Sequence, residues 1–384
     1  TEAGGDEFRG KGGPLFVSEN RKGLHWLVED YIKACGQAGL PYNRDFNGAD
    51  QEGAGTYQMT IKNARRNSAA RAFLRPAMKR ANLNVITGAQ VTRVLLEGGR
   101  AVGVAYVKEG QSLELRCNAE VILAGGAINS PQLLQLSGIG PGALLQSHGI
   151  AVVQDNANVG AHLSDHQGIN YTWRMKVPTY NDLLRPWWGK LFVGAQYFLT
   201  GGGPLAKSIN HAGGFFRTSS DLERPNMQLY LQAFSTLLPR AGERPLLTPD
   251  PFAGLSIGLS NCRPTSRGDI RIGSADPLAH PVITANAFST EHDVGEMLAA
   301  VKYLRHIAAQ PALAQWIAEE LRPGPAVQSD ADMIADFRAR SGTVYHPSCT
   351  ARMGPDAARS VVDAGLRVHG VQGLRVIDAS AFPN

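Results

Sequence analysis

The chain has 384 residues, is 43% hydrophobic and 18% charged, and carries a formal charge of +5. Those values are ordinary for a globular protein with a large core, and the length suggests two domains. The basic residues are scattered, densest at Arg65-Arg66 and Lys79-Arg80. They read as solvated surface and exclude a nucleic-acid footprint.

In chain order, residues 1–20 are glycine-rich and polar and read as loop. From Leu24 to Ala38 the apolar positions Leu24, Leu27, Val28, Tyr31 and Ile32 recur on one helical face, and Gly39 and Pro41 end the helix. Residues 45–50 form a turn cluster, and Ser68 to Arg75 reads as helix. Short strands follow at Val85-Ile86 and at Val91 to Leu96. Gly98-Gly99 makes a hairpin turn into Ala101 to Val107, and Leu113 to Arg116 pairs on. Val121 to Ala124 is a buried strand ending in Gly125-Gly126, which let the backbone come close to a neighbour. Ser130 reads as a helix cap with Pro131 in the first turn. Beyond residue 166, strands at Met227 to Leu231 and Asp269 to Ile272 mix with helices from Glu291 to Ala309 and Asp330 to Arg340. A last strand, Leu374 to Ile377, precedes Asp378.

Four cysteines, Cys35, Cys117, Cys262 and Cys349, lie far apart. They form neither a disulfide framework nor a zinc ligand set, and point to a reducing, cytoplasmic setting. No apolar run is long enough to cross a bilayer. Three readings stay open for Trp187-Trp188, Leu191-Phe192-Val193 and Tyr197-Phe198-Leu199: apolar packing, a substrate entrance or a membrane surface.

Two separated blocks carry the most information. The first, residues 120–140, reads EVILAGGAINSPQLLQLSGIG. The second, residues 343–354, reads TVYHPSCTARMG and is followed by SVVD at 360–363 and LRVHGVQGLRVIDASAFPN at 366–384. Together they resemble the signatures of the glucose-methanol-choline (GMC) family of flavin oxidoreductases, nearest its choline and alcohol dehydrogenase branch. Residues 159–166 (VGAHLSDH) and 266–273 (SRGDIRIG) fall in the family's order.

The resemblance implies an α/β (α+β) fold. An FAD-binding, Rossmann-like domain would be incomplete here, because no G-x-G-x-x-G opens the chain. A substrate domain would carry an antiparallel sheet backed by helices. The expected division is a mixed loop and helix segment over 1–75, FAD-domain segments over 76–155 and 351–384, and a substrate domain over 156–350. The chain reads as a fragment. It is expected to bind FAD poorly alone, and the second active-site residue is expected beyond Asn384.

The implied activity is FAD-dependent oxidation of a primary alcohol to an aldehyde. His346 would be the general base, since imidazole suits removal of the hydroxyl proton. Pro347 would stiffen its loop, and Tyr345 would face the substrate. Gly125, Gly126, Asp378 and Ala379 would contact FAD, and Val91 would meet the adenine through its backbone. The plainer readings are a hydrogen-bonded loop histidine, packing glycines, a capping aspartate and a core valine. His211 stands where choline-type members carry a carboxylate, which argues for an uncharged alcohol. His162 replaces a usual asparagine. The expected partner is a small-molecule alcohol, with no metal and no nucleic acid; the electron acceptor stays open. The rival readings are an FAD-containing lyase on the same fold and a truncated or split chain without activity.

Overall fold

A computed structural model describes residues 1–383 except 3, 20, 21 and 238–247. Asn384, the last residue of the second block, lies outside the described residues. The chain divides into two units. Unit 1 holds residues 1–84, 167–262 and 294–342, and unit 2 holds 85–166, 263–293 and 343–384. This differs from the division read from the sequence. The first 84 residues cluster with the antiparallel sheet, while 263–293 and the His346 segment join the glycine-rich block.

Unit 1 is built on a sheet whose strands run in the order Gly53–Thr56, Ala212–Phe216, Met227–Gln232, Gly254–Asn261, Gln167–Met175 and Ile317–Arg322. The pairings along this path are antiparallel. The central strand Gly254–Asn261 is buried at every position. Its neighbour Met227–Gln232 alternates buried and half-buried residues, as a strand with one face in the core must. Helix Leu27–Gln37 buries Leu27, Val28, Tyr31, Ala34 and Cys35, the i, i+3/i+4 stripe of an amphipathic helix. The helix starts three residues later than the periodicity predicts.

Unit 2 contains a three-stranded meander, Ala89–Glu97, Arg100–Lys108 and Gln111–Arg116. The Gly98-Gly99 turn falls where the sequence puts it, and both glycines have positive φ. Val85 and Ile86 form no strand. Strand Val121–Leu123 pairs in parallel with Leu374–Val376, which is about 250 residues away in sequence. Val121, Leu123, Leu134, Val361, Val362, Leu374 and Val376 pack into one buried cluster. Two signature blocks are therefore adjacent strands, and both turns leave from the carboxyl ends of those strands.

Helix Gly126–Leu136 corrects one sequence expectation. Gly125 stands at its cap, while Ser130 and Pro131 lie inside it. The Ser130 hydroxyl instead reaches back to accept the Gly125 N–H at 3.0 Å. Pro131 has no N–H, so the Ala127 carbonyl one turn earlier loses its usual intrahelical partner. The buried Thr350 hydroxyl donates to that carbonyl at 2.6 Å. A residue of the second block thus completes a helix of the first.

Candidate functional site

In unit 2 the Asp378 carboxylate joins the two turns. One oxygen accepts the Gly126 N–H at 2.9 Å and the Ser130 hydroxyl at 2.6 Å. The other accepts the Ser380 N–H at 2.8 Å. Three donors offset its charge, so this carboxylate organises the backbone around it.

Around that carboxylate the backbone is left open. Gly126 has φ +78°, and a Cβ added there would meet nothing within 4 Å. The first-turn N–H groups of Ala127 and Ile128 have no carbonyl one turn earlier to bond. Among the described residues, no hydrogen bond uses the backbone N–H of Asp378 or Ala379. The buried Ser380 hydroxyl oxygen also has no hydrogen-bond partner. Unused donors at paired strand ends, beside a glycine with room above it, suit a polar group that approaches the main chain closely. The residues present fit the phosphate-bearing part of a dinucleotide such as FAD.

Gly125 has a different job. A Cβ there would lie 3.2 Å from both Asn129 Cβ and the Ser130 nitrogen, so it is a close-packing glycine. Its N–H is already used by Ser130. Val91 lies in strand Ala89–Glu97, half-buried and opposite Tyr106, next to a register shift.

The loop carrying His346 is fixed mainly through its backbone. Asp165 accepts the His346 N–H at 3.0 Å through one oxygen and the Thr343 hydroxyl through the other. The Thr343 oxygen in turn accepts the Tyr345 N–H at 2.8 Å. This clamp supports Tyr345 at φ +64°, a left-handed conformation unusual for an aromatic residue. Further along, Ser348 exchanges backbone bonds with Ser164 at 2.9 and 3.2 Å, and Cys349 and Ala351 donate to Ala379 and Ser380 at 3.2 and 2.8 Å. The His346 segment is thereby laced to the Asp378 turn.

The His346 ring itself is exposed and makes no hydrogen bond among the described residues. It meets His166 edge-on, with ring centroids 5.5 Å apart. Tyr345 is 82% exposed. The ring nitrogens of His346 are thus available to an external group, unlike those of a structural loop histidine.

His162 has φ +64°, a region in which asparagine and histidine are both enriched. Its Nε2 is 3.2 Å from Asn158 Oδ1. That backbone requirement accounts for an exchange of asparagine for histidine at this position.

His211 belongs to unit 1, where it precedes strand Ala212–Phe216 and is buried. Its Nδ1 accepts the His25 N–H at 3.4 Å, and Tyr180 meets its ring edge-on at 5.6 Å. Burial, helped by Lys207 and His25, pushes its pKa down to about 4. At neutral pH it is an uncharged ring.

Sequence reasoning missed the roles of Asp165, Thr343 and Thr350, and read Ser130 only as a helix cap. The one available signal was Pro131 inside an apolar run, which leaves an orphaned carbonyl needing a donor from elsewhere.

Residues 6–168 and 264–384 match the N-terminal and C-terminal parts of the GMC oxidoreductase family. The chain is 40% identical over 380 residues to an alcohol dehydrogenase [acceptor] of Pseudomonas putida, covering 98% of this chain and 67% of that one. It is 41% identical over 385 residues to the mitochondrial choline dehydrogenase of Homo sapiens, covering 100% of this chain and 64% of that one. Among solved structures, pyridoxine 4-oxidase from Mesorbium loti superposes with a TM-score of 0.85 at 27% identity, over 98% of this chain and 69% of that one. A formate oxidase from Aspergillus oryzae RIB40 superposes with a TM-score of 0.88 at 26% identity, over 97% and 69%. The chain spans about two thirds of the length of these relatives. With both signature blocks joined through Asp378 and this likeness along its whole length, the chain belongs to the GMC oxidoreductase family, whose members are FAD-dependent.

Proposed function

We propose that the protein takes part in oxidising a primary alcohol to an aldehyde, with FAD as the group that accepts the hydride from the alcohol's α-carbon. The observation that carries this reading is His346: an exposed ring, without hydrogen bonds of its own, on a loop held by Asp165. His346 accepts the hydroxyl proton as the C–H bond is lost, so charge does not build up on the alcohol oxygen. Asp165 and Thr343 keep the ring aimed by fixing the backbone on either side of it. Gly126, Asp378 and Ala379 would supply the main-chain surface that holds the cofactor, and Val91 would offer a backbone contact to its adenine. Gly125 supports the same turn by letting the helix pack against it.

In this reading Tyr345 is a substrate-side residue, and His211 of unit 1 is assigned a role in substrate choice from its place in the sequence alone. A neutral His211 with Lys207 nearby offers no attraction to a trimethylammonium group. The preferred substrate is therefore an uncharged primary alcohol rather than choline.

The test is anaerobic addition of primary alcohols, choline included, to the FAD-loaded protein. The reading predicts bleaching of the oxidised flavin band and formation of the matching aldehyde, with uncharged alcohols faster than choline. Product formation with the flavin still oxidised would favour the lyase reading. No reaction with any alcohol would defeat the proposal.

A further inference from the structure

Helix Trp187–Thr200 in unit 1 is amphipathic in the inverted sense. Its buried positions are Gly189 and Val193, one turn apart. The opposite side presents Trp187, Trp188, Leu191, Phe192, Phe198 and Leu199 to solvent, with Phe198 and Leu199 each 84% exposed. Of the three readings the sequence leaves open here, packing holds for Val193 but not for the residues of this exposed face. A contiguous apolar face of this kind on a described surface calls for a partner.

The surroundings indicate which partner. The helix sits beside a second exposed segment of unit 1: Tyr197 donates its hydroxyl proton to the Ala64 carbonyl at 3.1 Å. Ala64 lies in the hairpin whose return strand is Arg65–Arg66. From residue 53 to residue 84 the sequence has no acidic residue, but it has Lys62, Arg65, Arg66, Arg71, Arg75, Lys79 and Arg80. Phe73, Leu74 and Met78 are exposed among them. Around the helix, residues 183–220 also lack any carboxylate and include Arg185 and Lys190.

Exposed tryptophans and phenylalanines beside unopposed lysines and arginines are the combination that binds an anionic lipid surface. A helix of 14 residues spans roughly 21 Å, too short to cross a hydrocarbon core of about 30 Å. It suits a helix lying in the plane of the headgroups. A second copy of the chain would set these cations against an identical set, which disfavours a symmetric dimer through this face. We propose that helix Trp187–Thr200 and the basic segment 62–80 form a docking surface for an anionic membrane, with the apolar face entering the headgroup layer.

The test is co-sedimentation of the full chain with vesicles of phosphatidylcholine alone and of phosphatidylcholine mixed with phosphatidylglycerol, at low and high salt. Binding to the anionic vesicles, weakened by salt, is expected. Arg65→Gln with Arg66→Gln should weaken it by roughly 30-fold. Trp187→Ser with Phe198→Ser should abolish it, with the circular dichroism unchanged because all four side chains are exposed. Failure to bind anionic vesicles would overturn the proposal. So would equal binding by the serine variant, or a dimer in sedimentation that disappears with Trp187→Ser and Phe198→Ser.

Discussion

Thr350 and Pro131 allow the link between the two signature blocks to be measured. Thr350→Val keeps the side-chain shape and removes the hydroxyl. The Ala127 carbonyl then has neither an intrahelical N–H, because residue 131 is proline, nor the Thr350 donor at 2.6 Å. Thr350 is fully buried and Ala127 nearly so, so water does not readily replace the lost partner. Leaving a buried acceptor unsatisfied costs about 1–3 kcal/mol. Pro131→Ala restores an N–H aimed at the same carbonyl. In that background Thr350→Val should cost less than about 1 kcal/mol, giving a coupling of about 1–2 kcal/mol between two residues 219 positions apart in sequence. Urea unfolding of the four proteins, followed by circular dichroism, gives the cycle. An equal cost of Thr350→Val in both backgrounds would refute the argument that threonine substitutes for the donor proline lacks.

Three further outcomes follow from the same geometry. His25 and His211 both have pKa values pushed down to about 4 by burial, against about 6.5 when unfolded. The unfolded chain therefore takes up protons below pH 6.5 that the folded chain refuses. Stability should be flat above that pH, fall between pH 6.5 and 4, and lose much of that slope in His211→Asn; urea midpoints at pH 7.5 and 5 decide it. Gly126→Ala should cost about 1–2 kcal/mol from the left-handed backbone alone, since the new Cβ has open space. It should also weaken FAD binding in a fluorescence titration, and unchanged binding would remove Gly126 from the cofactor surface. Asp165→Asn should lower kcat by up to about 100-fold through misplacement of His346, with FAD affinity unchanged. An unaltered kcat would show that the clamp does not aim the ring.

Much of the architecture was legible because local chemistry specifies it. The double glycine of the meander, the periodicity of Leu27–Gln37 and the strand Met227–Gln232 each announce themselves, whereas the central strand Gly254–Asn261 went unread. The site was legible only through long motifs, and only as a set of residues. How those residues meet depends on a parallel pairing between strands that are remote in sequence, which no local pattern encodes. The error at Ser130 has the same origin. A serine before a proline is a sound start signal for a helix, but a hydroxyl from residue 350 lets the proline sit inside. Likewise, the sequence left the face of Trp187–Thr200 open between packing, a substrate entrance and a membrane surface, because apolar composition alone does not reveal which side of a helix is covered.

The central claim is that His346 removes the alcohol proton. The most direct test is the rate of flavin reduction by alcohol under anaerobic conditions, for the FAD-loaded protein expressed from its whole reading frame and for its His346→Ala variant. The account predicts that the variant retains FAD while its reduction rate falls by about 100-fold or more. Near-normal reduction by the variant would contradict it.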